Sequence, residues 1–132
     1  MSMDERDISA MSSLALAHMG DAVYELFVRR ELCRRGRLTN GNLHRAAVSF
    51  VAAPAQAEAA GTLLPHLTEK ELAVFRRARN TRSHAAPRGA SEGEYHAATA
   101  LEALFGWLYL RGEQERLEEL FSLILEAHDH AD

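Results

Sequence analysis

Apolar positions along the chain recur at three- and four-residue intervals, and an alternating apolar–polar pattern is sustained nowhere. This spacing predicts five main helices, over residues 11–35, 42–61, 68–79, 91–110 and 113–128. Their long stretches draw on Ala, Leu, Met and Glu, which favour helix, and β-branched residues are sparse. Two of the starts carry a capping box, Thr68 with Glu71 and Ser91 with Glu94, in which a hydroxyl and a carboxylate satisfy unpaired N–H groups reciprocally. Pro65 and Pro87 fall in the connections that precede them. Residues 79–90, RNTRSHAAPRGA, mix Arg, Asn, Ser, Pro and Gly as an exposed basic loop does. In the last helix Leu117, Leu120, Phe121 and Ile124 share one face and leave Glu115, Glu118 and Glu119 to solvent. His128 and His130 read as a frayed tail. The expected architecture is all-α, one domain spanning 1–132 with flexible ends at 1–10 and 129–132, and no internal repeat.

Two carboxylates break this pattern. In LALAHMGDAVYELFV, Asp21 lies beside the apolar stripe of Leu16, Met19 or Gly20, Val23 and Phe27. Asp is a poor helix former, and Gly20 before it disfavours helix by about 0.5–1 kcal/mol relative to Ala. Both costs at one place imply that something approaches the backbone closely there. In AATALEALFGWLYL, Glu102 is the only charge between Ala97 and Leu110, on a helix apolar enough to be central to the core, with Gly106 one turn away. An ionised Glu in that setting is unfavourable by several kcal/mol unless offset. An arginine, a raised pKa that keeps the group neutral, or a bound divalent metal would each offset it. If Asp21 and Glu102 converge, they offer hard oxygen ligands without sulphur, which favours Mg²⁺ or Mn²⁺ over zinc. Such a metal beside an arginine-rich loop suits a phosphodiester substrate.

Charge changes the picture once it is divided. The 132 residues carry a net charge of −4, which alone argues against a polyanionic partner. Residues 1–25 hold −4, residues 26–90 hold +8 and residues 91–132 hold −8. Arginine supplies fourteen of the fifteen positive charges, and its planar fork matches phosphate. The other use for a basic middle is to pair with the acidic ends. With 47% hydrophobic and 26% charged residues the chain is an ordinary folded protein. Cys33 is alone, so neither an intramolecular disulfide nor a cysteine-built zinc site is available. The acidic N-terminus shows no secretory signal and no apolar run reaches membrane-span length, so a cytoplasmic protein with no membrane partner is expected. No glycine-rich phosphate loop, GxSxG or HExxH is present.

The carboxylate segments also carry a resemblance. GDAVYEL (Gly20–Leu26) resembles the signature of the ribonuclease III catalytic domain, and ALEALFGWLYL (Ala100–Leu110) resembles that domain's second carboxylate helix. LALAHMGDAVYELFVR, LHRAAVSFVAAPAQAE and RRARNTRS together resemble its short bacterial branch, Mini-ribonuclease III, from about Leu14 to Leu120. Ala17 and Leu14 stand where the larger enzymes have two further glutamates, and Thr99 stands where they have an aspartate, a reduction the short branch shares. Ala78 and His84 stand where glycine is frequent.

The resemblance implies an endoribonuclease that cleaves double-stranded RNA and lacks the separate RNA-binding domain of the larger enzymes. It implies Asp21 and Glu102 as catalytic and metal-binding residues, with Mg²⁺ as cofactor and Mn²⁺ as substitute. It further implies a homodimer and a role in maturing precursor 23S ribosomal RNA, with a ribosomal protein as a further partner. Arg79, Asn80, Arg82 and Ser83 are the expected RNA contacts, with His44 and Arg45 a second pair, while Tyr24, Glu25 and Tyr95 are expected to pack around the site. Two rivals stand beside this reading: a non-catalytic helical module binding RNA or the ribosome, and an all-α nucleotide pyrophosphohydrolase. The latter needs an inward-facing Glu-x-x-Glu cluster, and Glu115 with Glu118 is the one such spacing in the final helix.

Overall fold

The computed structural model describes residues 3–36, 40–81 and 89–130. Among the described residues there are seven α-helices and no strand: α1 Glu5–Ser9, α2 Ser13–Arg34, α3 Asn40–Val51, α4 Ala53–Leu63, α5 Glu69–Arg79, α6 Glu92–Leu110 and α7 Gln114–Asp129. A short 3₁₀ turn, Leu64–His66, follows α4. The all-α expectation therefore holds. Both capping boxes form as the sequence predicts, with Thr68 N–H donating to Glu71 and Ser91 N–H to Glu94, each at 2.9 Å.

Helix α6 is central, packed by α2, α4, α5 and α7. Its Ala100, Leu101, Ala103, Leu104, Phe105 and Leu108 are fully buried, which accounts for its nearly chargeless sequence. Helix α2 turns Leu16, Val23, Phe27 and Val28 into the same core, where Phe27 and Tyr24 meet Phe105 and Phe121 edge-on or tilted. Leu117, Leu120, Phe121 and Ile124 form the buried face of α7, as their spacing predicts.

Three expectations change. The stretch 42–61 is two helices, because the chain leaves helical geometry at Ala52 (φ −62°, ψ 146°) and Pro54 falls in the first turn of α4. Proline has no N–H to give and its ring excludes the carbonyl four residues earlier, so one continuous helix cannot pass through it. Second, the first ten residues contain a helix that their polar composition does not announce. In α1 Ile8 is buried, Asp4 caps the first turn, Glu5 pairs with Arg111, and Met3 N–H donates to the Leu110 carbonyl at 3.2 Å.

Third, His128 is not part of a frayed tail. Helix α7 continues to Asp129, His128 stacks on Phe50 with ring centroids 3.9 Å apart and planes 16° apart, and Arg35 holds both Asp129 oxygens at 2.9–3.0 Å. No helix among the described residues is long and apolar enough to cross a membrane.

Candidate active site

The site originates in a contact between backbones. A Cβ added to Gly20 would stand 1.5 Å from the Glu102 carbonyl oxygen, and one added to Gly106 would stand 2.1 Å from the Leu16 carbonyl oxygen. Only glycine at both positions lets α2 and α6 cross at this distance. The close approach inferred from Gly20 is therefore the approach of α6 itself. The crossing brings Asp21, next after Gly20, near enough to Glu102 for its charge to act on the Glu102 carboxyl.

Asp21 is exposed and Glu102 is mostly covered, so the pair forms a carboxylate surface with one buried wall. Burial first, and then the neighbouring Asp21 carboxylate, pushes Glu102 up to about 8, while the nearby Gln56 amide pulls the other way. Of the three ways to offset a buried Glu102, an arginine partner is not realised among the described residues. A retained proton and a bound cation remain, and they are alternatives for the same oxygens. Among the described residues no group of three or more His, Cys, Asp or Glu side chains is placed to hold a metal, so any metal here rests on this pair.

Two neighbours surround the pair. Tyr24, one turn after Asp21, is 1% exposed, and burial followed by the charge of Glu102 pushes its phenol up. Its hydroxyl has no hydrogen-bond partner among the described residues and faces a cleft of about 300 Å³ between α2, α3, α4 and α7. Gln56, on α4, was not singled out from the sequence. It is the one uncharged polar side chain in AAPAQAEAA, and at 3% exposure it is buried beside Glu102. Glu25 pairs with Arg29 at 2.7 Å on the outer face of α2, away from any cluster.

The expected RNA contacts fall in different places. Arg79 is the last residue of α5 and Asn80 its C-cap; both are exposed, and the Arg79 guanidinium lies 5.8 Å from the Phe75 ring centroid. Arg82 and Ser83 lie outside the described residues, as does most of the loop 79–90. His44 and Arg45 are exposed on α3, with Arg45 donating to Asn42 at 2.9 Å. Tyr95 sits in the first turn of α6, edge-on to His96. Glu118 is held bidentately by Arg30 at 2.7 Å and Glu115 is exposed, so the Glu-x-x-Glu spacing a pyrophosphohydrolase would need is spent on an ion pair and on solvent.

The class of this all-helical domain, with its acidic pair at the crossing of two long helices, is identified by direct match. The chain belongs to the ribonuclease III domain family, which matches over residues 14–113. It is therefore an endoribonuclease of that type. Within the family it is similar to proteins named Mini-ribonuclease 3. The one from Symbiobacterium thermophilum is 50% identical over 81% of this chain and 82% of its own length. The one from Clostridium tetani is 38% identical over 96% of this chain and 85% of its own. Among solved structures, a crystal structure of a Fusobacterium nucleatum protein shares the fold with a TM-score of 0.83 and 30% identity, covering 95% of this chain and 99% of that one.

Proposed function

We propose that this chain is a divalent-metal-dependent endoribonuclease of double-stranded RNA, with Asp21 and Glu102 as its metal-binding and catalytic residues and Mg²⁺ as the ion, Mn²⁺ substituting. The observation that carries this reading is the carboxylate pair itself. Two acids are brought together at a backbone contact, one of them mostly buried, with no arginine paired to either among the described residues. Such a pair is electrostatically unfavourable without a proton or a cation, and its all-oxygen donor set suits a hard ion. When bound, the cation would supply a water of lowered pKa and neutralise charge building on the phosphodiester.

The chain's own residues do the remaining work. Asp21 offers an exposed carboxylate and Glu102 a mostly covered one, and these two would hold the ion. Arg79, Asn80, Arg82, Ser83, His44 and Arg45 are proposed to grip RNA phosphates and 2′-hydroxyls, since the deep, narrow major groove of A-form RNA hides its base edges. A single catalytic domain acting as a symmetric homodimer, one site per subunit, would cut both strands. Maturation of precursor 23S ribosomal RNA, with a ribosomal protein assisting in the cytoplasm, is the biological setting the sequence resemblance supports.

The test is incubation with a long RNA duplex in Mg²⁺ and then in chelator. Cleavage is expected in the first and none in the second. Asp21→Asn is expected to abolish cleavage while leaving the melting temperature and duplex binding close to wild type. Failure of the wild type to cut any duplex under several divalent ions would overturn the reading, and unfolding of Asp21→Asn would reassign that residue to the fold.

A further inference from the structure

Two enclosed polar atoms border one cleft without a hydrogen-bond partner among the described residues: the Tyr24 hydroxyl and the His128 Nδ1. Asp129 Oδ1 lies 3.7 Å from the histidine nitrogen, too far for a hydrogen bond. Buried polar groups are paired in the great majority of cases, so two orphans on one cavity wall point to a ligand of matching chemistry. The cleft measures about 300 Å³, within the range of small-molecule sites, and Phe50, Ala59 and Ile124 give it apolar walls. Glu58, also lining it, is exposed and makes no ion pair among the described residues.

A second cleft, of about 330 Å³, adjoins the first along Ser49, Phe50 and His128, which line both. Its wall includes Arg35 and Arg45. Arg35 is engaged by Glu31 and Asp129, whereas Arg45 makes no ion pair among the described residues and donates to the neutral Asn42. The two clefts therefore differ in what they can hold. The first suits a flat, uncharged ring with an acceptor for the Tyr24 hydroxyl and N–H groups for the Glu58 carboxylate. The second suits an anion, and a guanidinium matches phosphate.

We propose that the two clefts form one binding site for a nucleoside monophosphate, with the base beside Tyr24, Glu58 and His128 and the phosphate at Arg45. Neither Asp21 nor Glu102 lines either cleft, so the site is separate from the acidic pair and independent of its metal-binding role. The nucleotide would arrive free or as the 5′ end of an RNA strand; the chemistry recognised is the same.

Calorimetric titration of the intact protein with guanosine monophosphate, in chelator and without duplex RNA, tests this. Guanine offers a carbonyl oxygen and adjacent N–H groups on one edge, which match Tyr24 and Glu58. One nucleotide is expected to bind per chain, with guanosine about tenfold weaker. Tyr24→Phe should weaken nucleotide binding about tenfold without lowering the melting temperature of the free protein, because it removes a hydroxyl that has no partner there. Arg45→Ala, an exposed substitution, should weaken the nucleotide about tenfold and leave guanosine unchanged. A 5′-phosphorylated single-stranded RNA that competes with the nucleotide identifies the strand end as the source, and one that does not identifies the free nucleotide. No binding of guanosine monophosphate at millimolar concentration would overturn the proposal. Equal affinity for guanosine and the nucleotide, or wild-type affinity in Tyr24→Phe, would overturn it too. A Tyr24→Phe protein that melts well below wild type or fails to fold would show that the hydroxyl is satisfied within the protein, with the same result.

Discussion

Two arginine-rich turns, one ending α2 and one ending α5, have similar compositions and opposite surroundings. At the end of α2, Arg29 pairs with Glu25, Arg30 with Glu118, Arg34 with Glu31, and Arg35 with both Glu31 and Asp129. Two of these acids come from α7, so the arginines fasten the C-terminal helix to α2. At the end of α5, Arg76, Arg77 and Arg79 are exposed and make no ion pair among the described residues. The +8 middle of the sequence is thus two populations. One is paired with acids of α2 and α7 and builds the fold; the other stays available to a polyanion. Net charge could not separate them, because separation depends on which acids the tertiary fold delivers.

The largest expected effect tests the unpaired population. Replacing Arg76, Arg77 and Arg79 together by alanine should weaken duplex RNA binding by about a hundredfold or more and reduce the slope of log affinity against log salt by about three units, about one per lost phosphate contact. Thermal stability should stay close to wild type. Filter-binding titrations at several salt concentrations measure the first and calorimetry the second; a lower melting point with an unchanged slope would move these arginines into the structural group.

Next in size is a change in the paired population. Glu31 is buried, and hydrogen bonding from Arg34, opposed by burial and aided by Arg35, holds its carboxyl down at about 2. Glu31→Gln should destabilise the fold by about 2 kcal/mol, below the usual range for breaking a buried ion pair because Arg34 is largely exposed. Its RNA-binding salt slope should match wild type. Urea unfolding decides this, and a loss of RNA affinity without a loss of stability would reverse the assignment.

The pH responses come last, and here two covered glutamates differ in sign. Glu31 is lowered from an ordinary 4.5, so its contribution is present above about 4.5 and lost as pH falls toward 2. Glu102 is raised from 4.5 to about 8, so its contribution to the metal-free protein is full below about 4.5 and lost as pH rises through 8. In chelator the melting temperature should therefore decline on both sides. Glu102→Gln should flatten the alkaline side alone and Glu31→Gln the acid side alone, which scanning calorimetry across pH would show.

What could be read from the sequence follows the range of the interactions involved. The starts of α5 and α6 were legible because a capping box is complete within four residues. Asp21, Glu102 and Gly20 stood out because each is locally unfavourable in a helix, and the crossing of α2 and α6 supplies the reason. Pro54 carried a local signal for the break between α3 and α4 that the strong alanine periodicity around it masked. Other features depend on contacts with distant residues. Helix α1 is held by its contacts with the end of α6, and His128 is ordered by Phe50 from a distant helix. Gln56 is tolerable in any helix and gains meaning only when α4 lands beside Glu102.

The Gly20–Gly106 contact has a consequence for how the site responds to change. Where two helices are separated by interlocking side chains, their spacing drifts as those side chains are substituted or as heat lets them change rotamer. Here the spacing is fixed by peptide groups in van der Waals contact, a quantity that neither mutation of the surrounding core nor moderate warming can tune. The distance between Asp21 and Glu102 is thereby insulated from drift in the rest of the core. Substitution of a hydrophobic residue near the crossing can therefore alter stability while the two carboxylates stay in register.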